Sequence, residues 1–446
     1  MDLISLLPDF GNLAFTILAF IAALTVIVAV HEYGHYIVGR WSGIKADVFS
    51  IGMGPVLLAR TDKHGTQWQI AAFPIGGYVK FRGDANAASG GADDEVMAEL
   101  SEEDRRHTMH GAPLWARAAT VAAGPIFNFV LSFLIFAGLT MSSGVARDPL
   151  SVDTVLDIPG MEQGLRTGDE ILSIAGVPIP PVSDFGQLVD KLPETALVEY
   201  GVMRGGQKMT VTAPHPFPAL VGSVNPQSAG FEAGLLQGDL IRTVNGIPVP
   251  TFNALRDIVV NGNGEELALD ILREGTPLNI VLTPRRQDIP TADGGFETRW
   301  LIGITSGMVF DPATRSVGVW EGVTSGVDRV LYIIQSSLSG LWHMITGAIS
   351  TCNLSGPIGI AQISGQAAAQ GAISFVGFIA LLSTAVGMLN LFPVPLLDGG
   401  HLAFYAWEAA TGKQPSEKVL KALLTIGLAV VLSLMVFGVT NDLFCP

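Results

Sequence analysis

The sequence predicts a polytopic α-helical membrane protein with four transmembrane helices, a cytoplasmic membrane-associated β element and two α+β domains. Three observations carry this. The chain of 446 residues is 49% hydrophobic with positive mean hydropathy, too apolar for a wholly soluble protein. Four segments are long and apolar enough to span a bilayer: about Leu13 to Val38, Ala118 to Gly144, Ala372 to Leu391 and Ala422 to Thr440. A polar region between the second and third carries an internal repeat. The net charge of -15 argues against nucleic acid as a partner.

The first span, within 1–46, carries no basic n-region and is expected to stay as an anchor rather than be cleaved. Directly after its apolar run comes His31-Glu32-Tyr33-Gly34-His35. On a helix, His31 and His35 project from one face and can hold a metal, while Glu32 can deprotonate a metal-bound water. The alternative is a chance pattern. Three such residues at the end of a membrane span are costly unless they bind something, which favours the metal.

Residues 47–112 form the next segment. Asp47 to Phe81 alternate apolar and polar stretches broken by glycines, as in hairpins, and Asp93-Asp94-Glu95 through Asp104 reads as a solvated acidic loop. Lys and Arg in this segment, and Lys413, Lys418 and Lys421 later, place both regions on the cytoplasmic side, with both termini outside. The second span lies in 113–147.

The third span, in 371–401, ends a stretch from Val330 to Leu397 without Asp, Glu, Lys or Arg. Asp398 follows, within Asn390-Leu391-Phe392-Pro393-Val394-Pro395-Leu396-Leu397-Asp398-Gly399-Gly400. Its two prolines must break any helix just before the carboxylate, and broken helices at membrane depth usually line a site. Asp398 alone could be a helix cap; beside His31 and His35 it is the leading third ligand. Spans one and three both run inward, so the two halves of the site reach the same leaflet. Residues 402–446 hold a cytoplasmic loop and the fourth span.

The repeat pairs Gly164-Leu165-Arg166-Thr167-Gly168-Asp169-Glu170-Ile171 with Gly234-Leu235-Leu236-Gln237-Gly238-Asp239-Leu240-Ile241, in domains 150–215 and 219–286. Both copies resemble PDZ domains, the second more closely through Asn225-Pro226-Gln227-Ser228-Ala229-Gly230. Such modules bind peptides by adding a strand to a sheet edge; a rigid cap is the alternative for either copy. Residues 287–370 are read as a linker and an amphipathic membrane-associated segment that includes His343.

Together these motifs look like a site-2 protease, of the M50 zinc intramembrane metalloprotease family, and resemble its sigma-E-regulating branch with tandem PDZ domains. Phe49 to Gly54, Ile75 to Lys80, Ala123-Gly124-Pro125-Ile126-Phe127-Asn128 and Leu354 to Ile358 also fit that family. The resemblance implies Zn²⁺ held by His31, His35 and Asp398, with Glu32 as general base. It implies an inner-membrane endopeptidase with periplasmic PDZ-like domains and termini. Its substrates would be transmembrane segments of single-span proteins, among them an already shortened anti-sigma factor and signal-peptide remnants. Asn390 would hold the scissile backbone or serve as a helix cap. Ile75, Gly76, Gly77, Tyr78 and Val79 would form an edge that captures the unwound substrate, or a scaffold. His401 is expected to pack behind the ligands. Cys352 and Cys445, the only cysteines, pair or stay free. The rival reading is a noncatalytic membrane scaffold that binds peptides through its PDZ domains; a transporter would need span repeats that are not seen.

Overall fold

A computed structural model describes residues 10–84, 93–158, 160–180, 185–189, 191–225, 228–291 and 295–445. The turn residues Pro159, Pro226 and Gln227 lie outside the described residues. The chain divides into two compact units, one of Met1–Leu139, Trp320–Leu341 and Leu354–Cys445, the other of Thr140–Val319 and Trp342–Asn353.

Four helices of the first unit are long and apolar enough to cross a membrane, at Leu13–Trp41, Leu114–Ser143, Ala372–Asn390 and Lys418–Phe444. Each overlaps an expected span. Ala23 and Ile27 of the first bury against Ile379 and Leu382 of the third, with Ile135 of the second beside them. A shorter helix, Pro357–Ala369, was not legible as a separate element inside the long uncharged stretch. It packs on the first, third and fourth spans, and a Cβ on its Gly365 would lie 2.9 Å from Thr16 Cα. The helix expected around His343 runs from Val319 to Ile345.

The β element is two long antiparallel strands, Ala46–Thr61 and Gln67–Phe81. Each bends, so Val48 to Ile51 pair on one side with Gln67 to Ile70 and on the other with Gly77 to Lys80. Gly77 to Lys80 therefore form an outer edge that pairs with no other strand among the described residues. Tyr36, Phe49, Val79, Phe81 and Met109 bury together and tie this sheet to the first span. Its far end leaves Val56, Leu57, Leu58 and Phe73 exposed. The acidic run departs from expectation: instead of a loop it contains two short helices, Asp94–Glu99 and Glu102–Arg105. Asp93 and Ser101 accept N-terminal amide hydrogen bonds, and the acids of the second helix crowd its first turn, where the helix dipole favours them.

In the second unit each repeat builds a four-stranded antiparallel sheet of the same strand order. The strands are Glu170–Ile174, Val177–Pro178, Leu197–Arg204 and Gln207–Pro214 in one, and Leu240–Val244, Ile247–Pro248, Leu267–Arg273 and Thr276–Leu282 in the other. The Gly-Asp of each motif explains its recurrence. Asp169 accepts from Arg204 Nε and Nη2 at 2.7 Å each and from the Arg166 amide; Asp239 does the same with Arg273 and the Leu236 amide. Burial alone would push the Asp169 carboxyl up, but the hydrogen bonds from Arg204 and the Arg166 amide overcome it and hold the group below its ordinary value. Neither cysteine is a free thiol; Cys352 and Cys445 are both disulfide-bonded.

Candidate metal centre

His31, Glu32 and His35 sit within the helix Phe10–Trp41, whose i to i+4 spacing stacks the two imidazoles on one face. Asp398 is the first residue of the helix Asp398–Thr411. The third span stops at Asn390, and Pro393 and Pro395 hold the chain in a tight turn closed by Val394 and Leu397 amide bonds. Just before Asp398, Leu396 has φ 122°, a strained conformation for a residue with a side chain. The start of a helix also favours a carboxylate electrostatically. Arg117 anchors that helix from the second span, with Nη2 2.6 Å and Nη1 3.0 Å from the two Glu408 oxygens.

His31, His35 and Asp398 converge. His31 Nε2 lies 3.1 Å from His35 Nε2 and 3.1 Å from Asp398 Oδ2, and His35 Nε2 lies 3.5 Å from Asp398 Oδ1. Four-coordinate zinc with bonds of about 2.0–2.1 Å to nitrogen and oxygen needs donor separations of roughly 3.3–3.4 Å. The observed separations bracket that value. Asp398 Oδ2 is buried and has no hydrogen-bond partner among the described residues, although water or a donor would normally satisfy such an atom. Two imidazole nitrogens and one carboxylate, whose Oδ2 is left over, fit three positions of a tetrahedral zinc site.

The surroundings are shaped to the histidines. His35 Nδ1 donates to the Thr120 carbonyl at 2.8 Å, which leaves Nε2 to face the site. Gly124 lies flat against both rings: a Cβ there would come within 2.5 Å of His35 Cε1 and 2.8 Å of His31 Cε1. The Ala123-Gly124-Pro125 motif thus lets the second span touch the ligands.

A cavity of about 700 Å³ opens on the cluster, lined by Glu32, Gly77, Tyr78, Val79, Asn390 and His401 among others. Glu32 packs on Gly77, whose Cβ would fall 3.2 Å from Glu32 Cγ. Of the expected edge residues, Tyr78 accepts at its hydroxyl from Gln69, Val79 is buried in the core, and both line the cavity. Gly76 takes a positive φ of 104°, and Ile75 lies within the same strand. His401 lies outside the converging group; burial lowers its affinity for a proton and its ring meets Phe404. Burial also pushes the neighbouring Tyr405 hydroxyl up to about 12. Sequence reasoning gave no role to Thr120, Gly124, Asn128, Arg117 and Glu408; of these Gly124 and Asn128 had a signal, their place in the Ala123 to Asn128 motif.

Comparison with known proteins agrees with this chemistry. The family model described as "Peptidase family M50" matches residues 19–434. A "Putative zinc metalloprotease" of Rhizobium meliloti is 36% identical over 441 residues, covering 98% of both chains. The "Regulator of sigma-E protease RseP" of Escherichia coli K12 is 32% identical over 456 residues, covering 95% of this chain and 97% of its own. The chain belongs to peptidase family M50 and is a zinc-dependent membrane metalloendopeptidase.

Proposed function

We propose that this protease cuts the transmembrane segments of single-span proteins within the inner membrane, near the cytoplasmic leaflet. The observation that carries the reading is one cavity shared by His31, Glu32, His35, Asp398 and Gly77 to Val79, next to helices of membrane length. A helical substrate hides its carbonyls in internal hydrogen bonds and must unwind before hydrolysis. The unpaired edge at Gly77 to Lys80 would hold the extended form by strand addition. Asn390 would fix the scissile backbone from the opposite helix end.

His31, His35 and Asp398 would hold the zinc. A zinc ion held there would polarise the scissile carbonyl and make a water nucleophilic at neutral pH. Glu32 would take a proton from the attacking water and return it to the leaving amine. The second-to-third-span region, read as two periplasmic PDZ-like domains, would admit substrates already shortened on that side and exclude bulky ones. A trimmed anti-sigma factor and signal-peptide remnants are the substrate classes, the former in keeping with the sigma-E regulation for which the Escherichia coli relative is named. The positive-inside pattern supports termini on the periplasmic side.

The test is cleavage of a single-span reporter by detergent-purified wild type and Glu32→Gln, with zinc content measured on both. Zinc in both and cleavage by wild type alone is expected. Zinc without Glu32-dependent cleavage would instead favour a noncatalytic peptide-binding scaffold.

A further inference from the structure

Asn128 sits in the second span with no solvent exposure, and its side-chain amide meets a ligand histidine: Nδ2 is 3.2 Å from His31 Nδ1. The backbone carbonyl of Asn128 is occupied separately, accepting from Ser132 and Ser383 hydroxyls. The side chain is thus free to act on His31, yet its Oδ1 is buried with no hydrogen-bond partner among the described residues.

The chemistry of the imidazole decides which end of the amide belongs at His31. His31 Nε2 faces His35 and Asp398, so a metal held there needs a lone pair on Nε2 and the proton on Nδ1. An NH₂ aimed at Nδ1 would demand the opposite tautomer, with a hydrogen on Nε2 pointing into the site. The two ends of an asparagine amide have the same shape and are assigned from the hydrogen-bond network alone. Rotating the amide half a turn puts the orphaned oxygen at Nδ1 and makes the bond His31 Nδ1–H to Asn128 Oδ1. His35 already has this arrangement, with Thr120 as its acceptor. Thr120 and Asn128 lie about two helical turns apart on the second span, so one helix would set the tautomer of both histidines.

We infer that Asn128 is a positioning residue that accepts the His31 Nδ1 proton through Oδ1 and so presents Nε2 as a metal ligand. This rests on the assignment of His31 as a ligand. The test is zinc affinity of the full-length protein in detergent, measured by chelator competition for wild type, Asn128→Leu, Asn128→Asp and His31→Ala, with helicity checked in the metal-free state. Loss of the acceptor in Asn128→Leu is expected to weaken zinc roughly 10–100-fold, while Asn128→Asp, whose carboxylate only accepts, should stay within about threefold of wild type. Asn128→Asp binding as weakly as Asn128→Leu, or Asn128→Leu binding like wild type, overturns the inference. Should Asn128→Leu fail to fold, Asn128→Asp decides alone: retained affinity supports the acceptor role and lost affinity refutes it. His31→Ala separates the two layers. If it keeps full zinc affinity, the ligand assignment falls and the inference with it; if it loses zinc while Asn128→Asp does too, only the role of Asn128 fails.

Discussion

In each repeat a buried carboxylate meets a guanidinium, whereas in the helical unit a buried carboxylate meets two imidazoles. Asp169 and Asp239 are closed: each takes two hydrogen bonds from an arginine of its own repeat and one from a backbone amide. Asp398 is open, since one of its oxygens has no hydrogen bond although two histidine nitrogens crowd it. A complete ion pair, satisfied within one repeat, serves the fold. An incomplete donor set, brought together from distant parts of the chain, serves a ligand.

The largest break in this contrast is expected from Asp398→Ala, which removes a zinc donor. Metal content after dialysis should fall by more than the roughly 10–100-fold that loss of an outer hydrogen-bonding partner costs, and reporter cleavage should vanish with it. Full zinc occupancy in the folded variant would refute the ligand role. Glu32→Gln should sharpen the comparison by separating chemistry from binding. Cleavage should drop by roughly 10²–10⁴-fold while zinc stays, because the amide cannot act as a base and was never a donor.

The closed sites should respond in stability alone. Asp239→Asn leaves the Arg273 charge facing an amide, and removing one partner of a buried ion pair costs about 3–5 kcal/mol; partial exposure of Arg273 puts the expectation at the lower end. Hydrogen exchange should quicken in Leu240–Val244 with zinc content unchanged; a fall in zinc would show that the closed ion pair also supports the metal site.

The smallest effect concerns acid. Asp169 titrates below its ordinary value when folded, so its contribution is fully present above the unfolded value of about 3.9 and is lost as pH falls through the lower folded value. Exchange at Glu170–Ile174, corrected for intrinsic rates, should rise on that acid side in wild type. In Asp169→Asn the same amides should lose this pH dependence, exchanging faster than wild type where Asp169 is ionised and converging with it as the wild-type carboxyl protonates.

Much was legible because it is local. Twenty or so apolar residues define a span whatever surrounds them, the four-residue spacing of His31 and His35 fixes a shared helix face, and Pro393 and Pro395 dictate a break before Asp398. The Gly-Asp repeat announced two like units, and the matching strand order followed. The acidic run was misread because charge pattern alone cannot weigh N-terminal caps such as Asp93 and Ser101 against solvation.

The kinds of donor and the helix ends that carry them follow from residue type and periodicity, which are properties of a short stretch of chain. Folding was needed to bring Asp398 Oδ2 to 3.1 Å from His31 Nε2, to lay Gly124 against both rings, and to set Thr120 and Asn128 against their outer nitrogens. Those contacts join residues far apart along the chain. No local rule sets a distance between them; close packing of the spans does.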